Sequence, residues 1–271
     1  MSNIIRVAVL SDLHPTDGSD QKNGSHLQMN GPESPEQNPV VGLKKLVESE
    51  GLKANIVICP GDIGNQGDPQ TISYGWTKLN YIKDFINAER LIVVPGNHDH
   101  DSRAIHNKFD PKYILQELDP PFPSPEYENN THFWAWHWNI IDHDDYRILI
   151  FNSSAYHGMN KEFLHGRIST KAIQSIKDKL AGLPEKKLNI FVCHHHPHKQ
   201  EDIDFEDYEA MDGGQKLISV LDNTNNGSWI IIHGHKHYPC ISYAQGTSSS
   251  PIVFSSGSFS AYLLPFHSKT V

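Results

Sequence analysis

The chain alternates compact apolar runs with segments whose apolar residues recur at helical spacing. Residues 4–10, 55–59 and 91–94 are short and almost wholly apolar, the composition of strands buried on both faces. Between them, residues 40–50 and 74–88 carry the helical spacing, and Gly51 stops the first of these segments. This β-α-β-α-β order predicts parallel strands whose C-terminal ends share one edge of a sheet, where ligand sites of open α/β sheets lie. Beyond residue 130 the pattern changes. Residues 131–141 alternate in a strand-like way, with His132, Trp134, Trp136 and Trp138 on one face, and residues 147–153 follow as an antiparallel partner. Residues 170–180 and 213–221 read as helices, and 188–193 and 229–233 as strands. Three short β segments at 240–243, 252–255 and 259–263 close the chain. The expected fold is α/β: a four-layer α-β-β-α sandwich of two packed mixed β-sheets flanked by helices, forming one domain over residues 1–271.

Composition narrows the setting. The 271 residues are 37% hydrophobic, enough for one large core, and the formal net charge of -9 leaves no broad basic footprint for a nucleic-acid backbone. No apolar stretch is long enough to span a bilayer, and the N-terminus runs into a strand without a signal-like apolar region. Cys59, Cys193 and Cys240 are an odd number lying in or beside apolar strands, which fits free thiols in a reducing, cytoplasmic compartment.

The residues that follow the apolar runs carry the chemistry. Asp12-Leu13-His14 comes after the first strand, Gly61-Asp62 after the second and Gly96-Asn97-His98-Asp99 after the third. His194-His195-His196 and Gly234-His235-Lys236-His237 follow two later strands. Any one of these alone is an ordinary turn, because Asp, Asn and Gly terminate strands routinely. Five in order at strand ends describe a place where oxygen and imidazole ligands converge on metal. Asp12 and His14, one residue apart, point the same way in an extended segment, and His235 and His237 repeat that spacing. Asn97 offers a neutral carbonyl oxygen, whereas His98 beside it is placed to donate a proton rather than to ligate. The His-rich run does not say which of its members matters, and His233 is a second candidate near the last motif. The long polar stretch 15–39 lies directly after the first ligand pair, and the acidic stretch 201–212 follows the His-rich run; both are expected at the entrance of the site.

These motifs, spread over residues 4–260, resemble those of the calcineurin-like metallophosphoesterases: Asp-x-His, Gly-Asp-x-x-Asp/Asn, Gly-Asn-His-Asp/Glu, a later His and Gly-His-x-His. Ser256-Gly257-Ser258-Phe259 resembles the closing Gly-Ser strand of that family. The resemblance implies two packed sheets and two metal ions, divalent or of mixed valence, drawn from Mn, Fe, Zn, Ni and Co. It assigns Asp12, His14 and His237 to one ion, Asn97, His195 and His235 to the other, and Asp62 to both. His195 is taken because the family's ligand usually stands two residues before a proline, here Pro197; His194 is the substitute.

The resemblance further implies attack on phosphorus by water activated between the cations, with His98 stabilising charge or protonating the leaving group and Asp99 available to orient it. Gln66 and Asp99 stand where protein Ser/Thr phosphatases of the superfamily carry Arg and Glu, and Asn65 stands where purple acid phosphatases carry a Tyr ligand. The chain looks closest to the bacterial cyclic-nucleotide phosphodiesterase-like branch, and the expected substrate is a small phosphoester or nucleotide. The alternatives are a metal-binding scaffold of the same fold and a metal-dependent nuclease.

Overall fold

Among the residues described by the computed structural model, 4–18, 24–124, 127–158, 165–199, 210–244 and 250–261, nine strands divide between two sheets. The first is parallel, in the order β1 (Val7–Val9), β2 (Ile56–Cys59) and β3 (Arg90–Val93). The second runs β4 (Trp138–Asp142), β5 (Arg147–Phe151), β6 (Asn189–Val192), β7 (Trp229–His233), β9 (Ile252–Ser255), β8 (Cys240–Tyr243). In this sheet β5, β6, β7 and β9 are mutually parallel, and only the edge strands β4 and β8 pair antiparallel. The antiparallel character expected of the second half is therefore confined to its margins.

Strand parity builds the layers. Ile56, Ile58 and Ile92 of the first sheet pack with Ile148, Ile150, Ile190, Val192 and Ile232 of the second, so one set of alternate residues fills the space between the sheets. The other set faces outward to helices. Val57, Cys59 and Val93 meet Val40 and Val47 of α1 (Pro39–Glu50) and Ile72, Trp76, Leu79 and Ile82 of α2 (Pro69–Phe85). Leu149, Phe151, Phe191 and Ile231 meet Ile173, Ile176 and Leu180 of α5 (Thr170–Ala181) and Leu217, Ile218 and Leu221 of α6 (Gly214–Asn223). The result is the α-β-β-α sandwich that the patterning predicts, with strands buried on both faces because each sheet is covered twice.

The helix ends follow local chemistry. Asn38 accepts hydrogen bonds from the Val40 and Val41 N–H groups at the start of α1, and Gly51 closes it in the left-handed conformation, φ 63°. Asp68 caps α2 in the same manner with Pro69 behind it, so that helix starts five residues before the spacing suggests.

The segment 131–141 departs from its expected form. Residues Tyr127–Trp136 form a helix, α4, after the single turn α3 (Tyr113–Gln116), and the strand begins only at Trp138. The break falls at His137, whose N–H closes on the Phe133 carbonyl and whose φ is 67°, a left-handed stop without a glycine. His132, Trp134, Trp136 and Trp138 consequently do not line one strand face. Trp138 is buried and Trp136 is exposed. Residues 259–261 likewise contribute only isolated bridges, of which Ser25 with Ala261 is one, and 262–263 lie outside the described residues. Among the described residues no helix is long and apolar enough to cross a membrane.

Candidate metal centre

The C-terminal ends of β1, β2, β3, β6 and β7 open on one edge of the sandwich, and each is followed within a few residues by a ligand motif. The turns there are unusually constrained. Asp12, His14, Asp62, His235 and His237 all have φ between 39° and 76°, a left-handed region in which non-glycine residues cost energy unless the surroundings hold them, as happens at functional sites. The surroundings do hold them. The Asp12 carbonyl accepts the Ser258 hydroxyl at 2.7 Å, and Phe259 N–H reaches the Ser11 carbonyl at 2.8 Å, so the chain after β9 returns to brace the first motif. Ser25 and Ser260 both donate to the Leu13 carbonyl. The described part of stretch 15–39 thus buttresses the Asp12–His14 turn from behind.

Two groups of ligand atoms result. In the first, Asp12 Oδ1 lies 3.7 Å from His14 Nε2 and 3.2 Å from His237 Nε2, and those two ring nitrogens are 3.2 Å apart. In the second, Asn97 Oδ1 lies 3.0 Å from His194 Nε2 and 3.2 Å from His235 Nδ1. Asp62 stands between them, its Oδ2 3.4 Å from His14 Nε2 and 3.3 Å from His194 Nε2. A cation with nitrogen and oxygen ligands at about 2.0–2.2 Å separates neighbouring ligand atoms by about 3.0–3.6 Å, so these spacings are those of donors around a common centre.

His194, not His195, faces Asn97 and Asp62. Parity explains it: Ile190 and Val192 of β6 point between the sheets, and His194 continues that set, whereas His195 belongs with Phe191 and Cys193 on the helix side. The His195 ring sits behind His235, with Nδ1 2.9 Å from the Ser153 hydroxyl and the Cα of Gly166 pressed against it so closely that a Cβ there would lie 2.4 Å from the ring. Glycine is required at two further approaches: a Cβ on Gly61 would come within 2.6 Å of His194 Nδ1, and one on Gly234 within 2.5 Å of Asp12 Oδ2. His233 is buried with Nδ1 on the Gly234 carbonyl, away from both groups.

His98 lies at the margin of the first group, its ring 4.6 Å from that of His14, and its backbone N–H donates to Asp62 Oδ1 at 2.8 Å. The partner that orients it is Asn65, whose Oδ1 is 3.2 Å from His98 Nδ1, with the Gln66 N–H at 3.3 Å. Asp99 does something else. Its carboxylate accepts N–H bonds from Gly64 and Gly96, both 2.8 Å, and so ties the second motif to the third from beneath. The spacing of Asn65 in the second motif carried the signal for the orienting partner; that of Asp99, adjacent in sequence, did not.

The electrostatics are those of a place that collects positive charge. Burial alone raises the carboxyls of Asp12 and Asp62, yet the nearby imidazoles of His14 and His237 for Asp12, and the field of His194 and His98 for Asp62, hold both below the ordinary carboxylate range. His194 is desolvated, which lowers its pKa, but the charge of Asp62 raises it to about 9; His14 is raised for the same kind of reason by Asp12 and Asp62. Burial pushes His98 down to about 4 and Asp99 up to about 7. Two buried, ionised carboxylates with imidazoles on every side require compensating charge, from protons on those imidazoles or from cations. The donor set, carboxylate, amide oxygen and imidazole, suits divalent transition metals.

Comparison with known proteins adds family and fold. A model of the calcineurin-like phosphoesterase family matches residues 5–239. Among solved structures, the chain is similar to the purple acid phosphatase PPD1 from yellow lupin (Lupinus luteus) seeds, with 16% sequence identity, a TM-score of 0.57 and coverage of 99% of this chain and 47% of that one. It is also similar to PhoD, with 10% identity, a TM-score of 0.54 and coverage of 94% and 56%. The chain thus spans about half the length of these two proteins, and at such identities the likeness is one of fold. Comparison with curated proteins yields no match.

Proposed function

Because the chain belongs to the calcineurin-like phosphoesterase family, we propose that it is a hydrolase of small phosphoesters that works with two divalent cations. Asp12, His14 and His237 would hold one ion, Asn97, His194 and His235 the other, and Asp62 would serve both. The observation that supports this reading best is the position of Asp62 Oδ2, within 3.4 Å of a nitrogen from each group. When bound, such ions neutralise phosphoryl oxygens and make a nearby water acidic enough to attack phosphorus at neutral pH.

The chain's own residues prepare the rest. With Nδ1 accepting the Gln66 N–H and Asn65 beside it, the neutral His98 ring carries its proton on Nε2, where the N–H would stabilise charge on the departing oxygen. Asp99 keeps the two motifs in register, so that Asp62, Asn97 and His98 move as one body. The carboxylates stay ionised, as ligands must, because the imidazoles around them lower their pKa. Free Cys59 and Cys193, both buried, and free Cys240 fit a cytoplasmic setting.

A phosphodiester or nucleotide is the favoured substrate, since Asn65, Gln66 and Asp99 depart from the purple acid and protein phosphatase patterns. The test is hydrolysis of bis-p-nitrophenyl phosphate and p-nitrophenyl phosphate with Mn added. Turnover of the diester is expected. No turnover of either by protein with metal bound sinks the enzyme reading, and turnover of the monoester alone sinks the diester preference.

A further inference from the structure

Strand β5 ends at Phe151 beside β6, and a serine two residues further on reaches across to the His-rich run that follows β6. Ser153 is fully buried. Its hydroxyl oxygen accepts the backbone N–H of His194 at 3.2 Å and that of His195 at 3.1 Å, and it lies 2.9 Å from His195 Nδ1. A hydroxyl offers two lone pairs and one hydrogen. The two backbone donors take the lone pairs, so the hydrogen goes to His195 Nδ1, and the N–H of that ring stands on Nε2. Every hydrogen-bonding capacity of this side chain is thus spent on two consecutive histidines. The serine is itself held from the other side, because its carbonyl accepts the Arg167 N–H at 2.9 Å while the adjoining Gly166 presses against the His195 ring.

The consequence falls on His194. Its Nδ1 is engaged by the Pro60 carbonyl at 2.9 Å, which leaves Nε2 toward Asn97 and Asp62, and its backbone is fixed by the Ser153 hydroxyl. Successive residues of an extended segment point to opposite faces, so a slip of the run by one residue would exchange His194 and His195. The Ser153 hydroxyl opposes that slip, since it meets His195 Nδ1 only with His195 on the helix side. The His195 ring in turn lies 5.0 Å from that of His194 and 4.5 Å from that of His235, centroid to centroid, so both imidazoles rest against a ring that Ser153 orients. We propose that Ser153 is a positioning residue for one of the two cations, the one assigned to Asn97, His194 and His235, and that it selects which histidine of the run becomes the ligand. The inference rests on the two-cation reading above. The Asp12–His14 turn is braced instead by Ser25, Ser258 and Ser260, so the effect of Ser153 falls on one ion and not on both.

The test is calorimetric titration of the metal-depleted full chain with Mn(II), in wild type, Ser153→Ala and Ser153→Cys. Removing the hydroxyl leaves two buried N–H groups without that acceptor, and the exit of β6 must move to satisfy them. Ser153→Ala is expected to weaken one ion by about 10- to 100-fold, the usual cost of losing a group that orients a ligand, and to leave the other close to its wild-type affinity. Ser153→Cys, close to serine in shape but a weak donor and acceptor, should weaken the same ion by less. A purely structural role would lower Tm without separating the two affinities. Thermal melting of each metal-free variant shows that it is folded, and Ser153→Cys decides the matter where Ser153→Ala loses its cooperative transition. Equal weakening of both ions, or no weakening of either, overturns the inference. A wild type that binds fewer than two ions strikes the two-cation reading instead.

Discussion

The Nε2 atom of His194 lies 3.0 Å from the amide oxygen of Asn97 and 3.3 Å from Oδ2 of Asp62, so one imidazole joins the third motif to the second. His195, its neighbour, is turned to Ser153. His194→Ala is therefore expected to lower bound metal by about one ion per chain and to reduce kcat/KM by orders of magnitude. His195→Asn should keep its metal and lose far less activity. Elemental analysis of both variants checks this; metal loss in His195→Asn with retention in His194→Ala would reverse the assignment.

His98 and Asn65 form a second linked pair. A positioned proton donor contributes typically 10²–10⁴-fold. We expect His98→Ala to lose activity in that range with its metal retained, and Asn65→Ala to lose about tenfold or more through kcat rather than KM. Asn65→Asp should restore part of the rate by keeping an oxygen at His98 Nδ1. Equal metal loss in His98→Ala and Asn97→Ala would show that His98 is a ligand after all.

Gly75 reverses a usual expectation. Alanine is ordinarily better than glycine in a helix interior by about 1 kcal/mol. Here a Cβ would stand 1.9 Å from the Ile63 carbonyl oxygen, on the loop that presents Asp62. Gly75→Ala should lower Tm by several degrees and weaken metal retention as the Asp62 loop is pushed outward. A raised Tm would refute the close crossing of α2 over that loop.

Acid should destabilise the protein partly through His100. Burial, reinforced by the field of His157, depresses its pKa from the ordinary 6.5 to about 3. The unfolded chain takes up a proton near pH 6.5 while the folded chain refuses it down to about pH 3. Stability contributed by this group is thus complete above pH 6.5 and falls with pH across that window, by up to about 1.4 kcal/mol per pH unit. In chemical denaturation between pH 7 and 4.5, His100→Gln should show a shallower loss than wild type. Parallel curves would mean that His100 does not titrate in this way.

Much of this arrangement is legible in the chain itself, and the departures have local causes. Apolar runs of four to seven residues give the strands because both sheet faces are covered, and Gly51 and the Asp68-Pro69 pair mark helix ends by known backbone preferences. Residues 131–138 mislead because aromatic residues two apart mimic one strand although the helix runs to Trp136 and the strand begins only at Trp138, and because the stop at His137 between them uses no glycine. In the His-rich run the proline spacing points to His195, while the parity of Ile190 and Val192, equally present in the sequence, points to His194. Asp99 is adjacent to His98 yet serves Gly64 and Gly96, a contact 35 residues away in sequence for Gly64, which adjacency does not convey. Ser102 and His157 carry no motif at all and meet only in the folded chain.

Everything proposed for the centre depends on Asp62 joining two cations, and electron paramagnetic resonance of protein loaded with Mn(II) reads that coupling. Two ions per chain with an exchange-coupled signal are expected, replaced by the spectrum of an isolated ion or by loss of metal in Asp62→Ala. An uncoupled, single-ion spectrum from fully loaded wild-type protein would refute the shared centre.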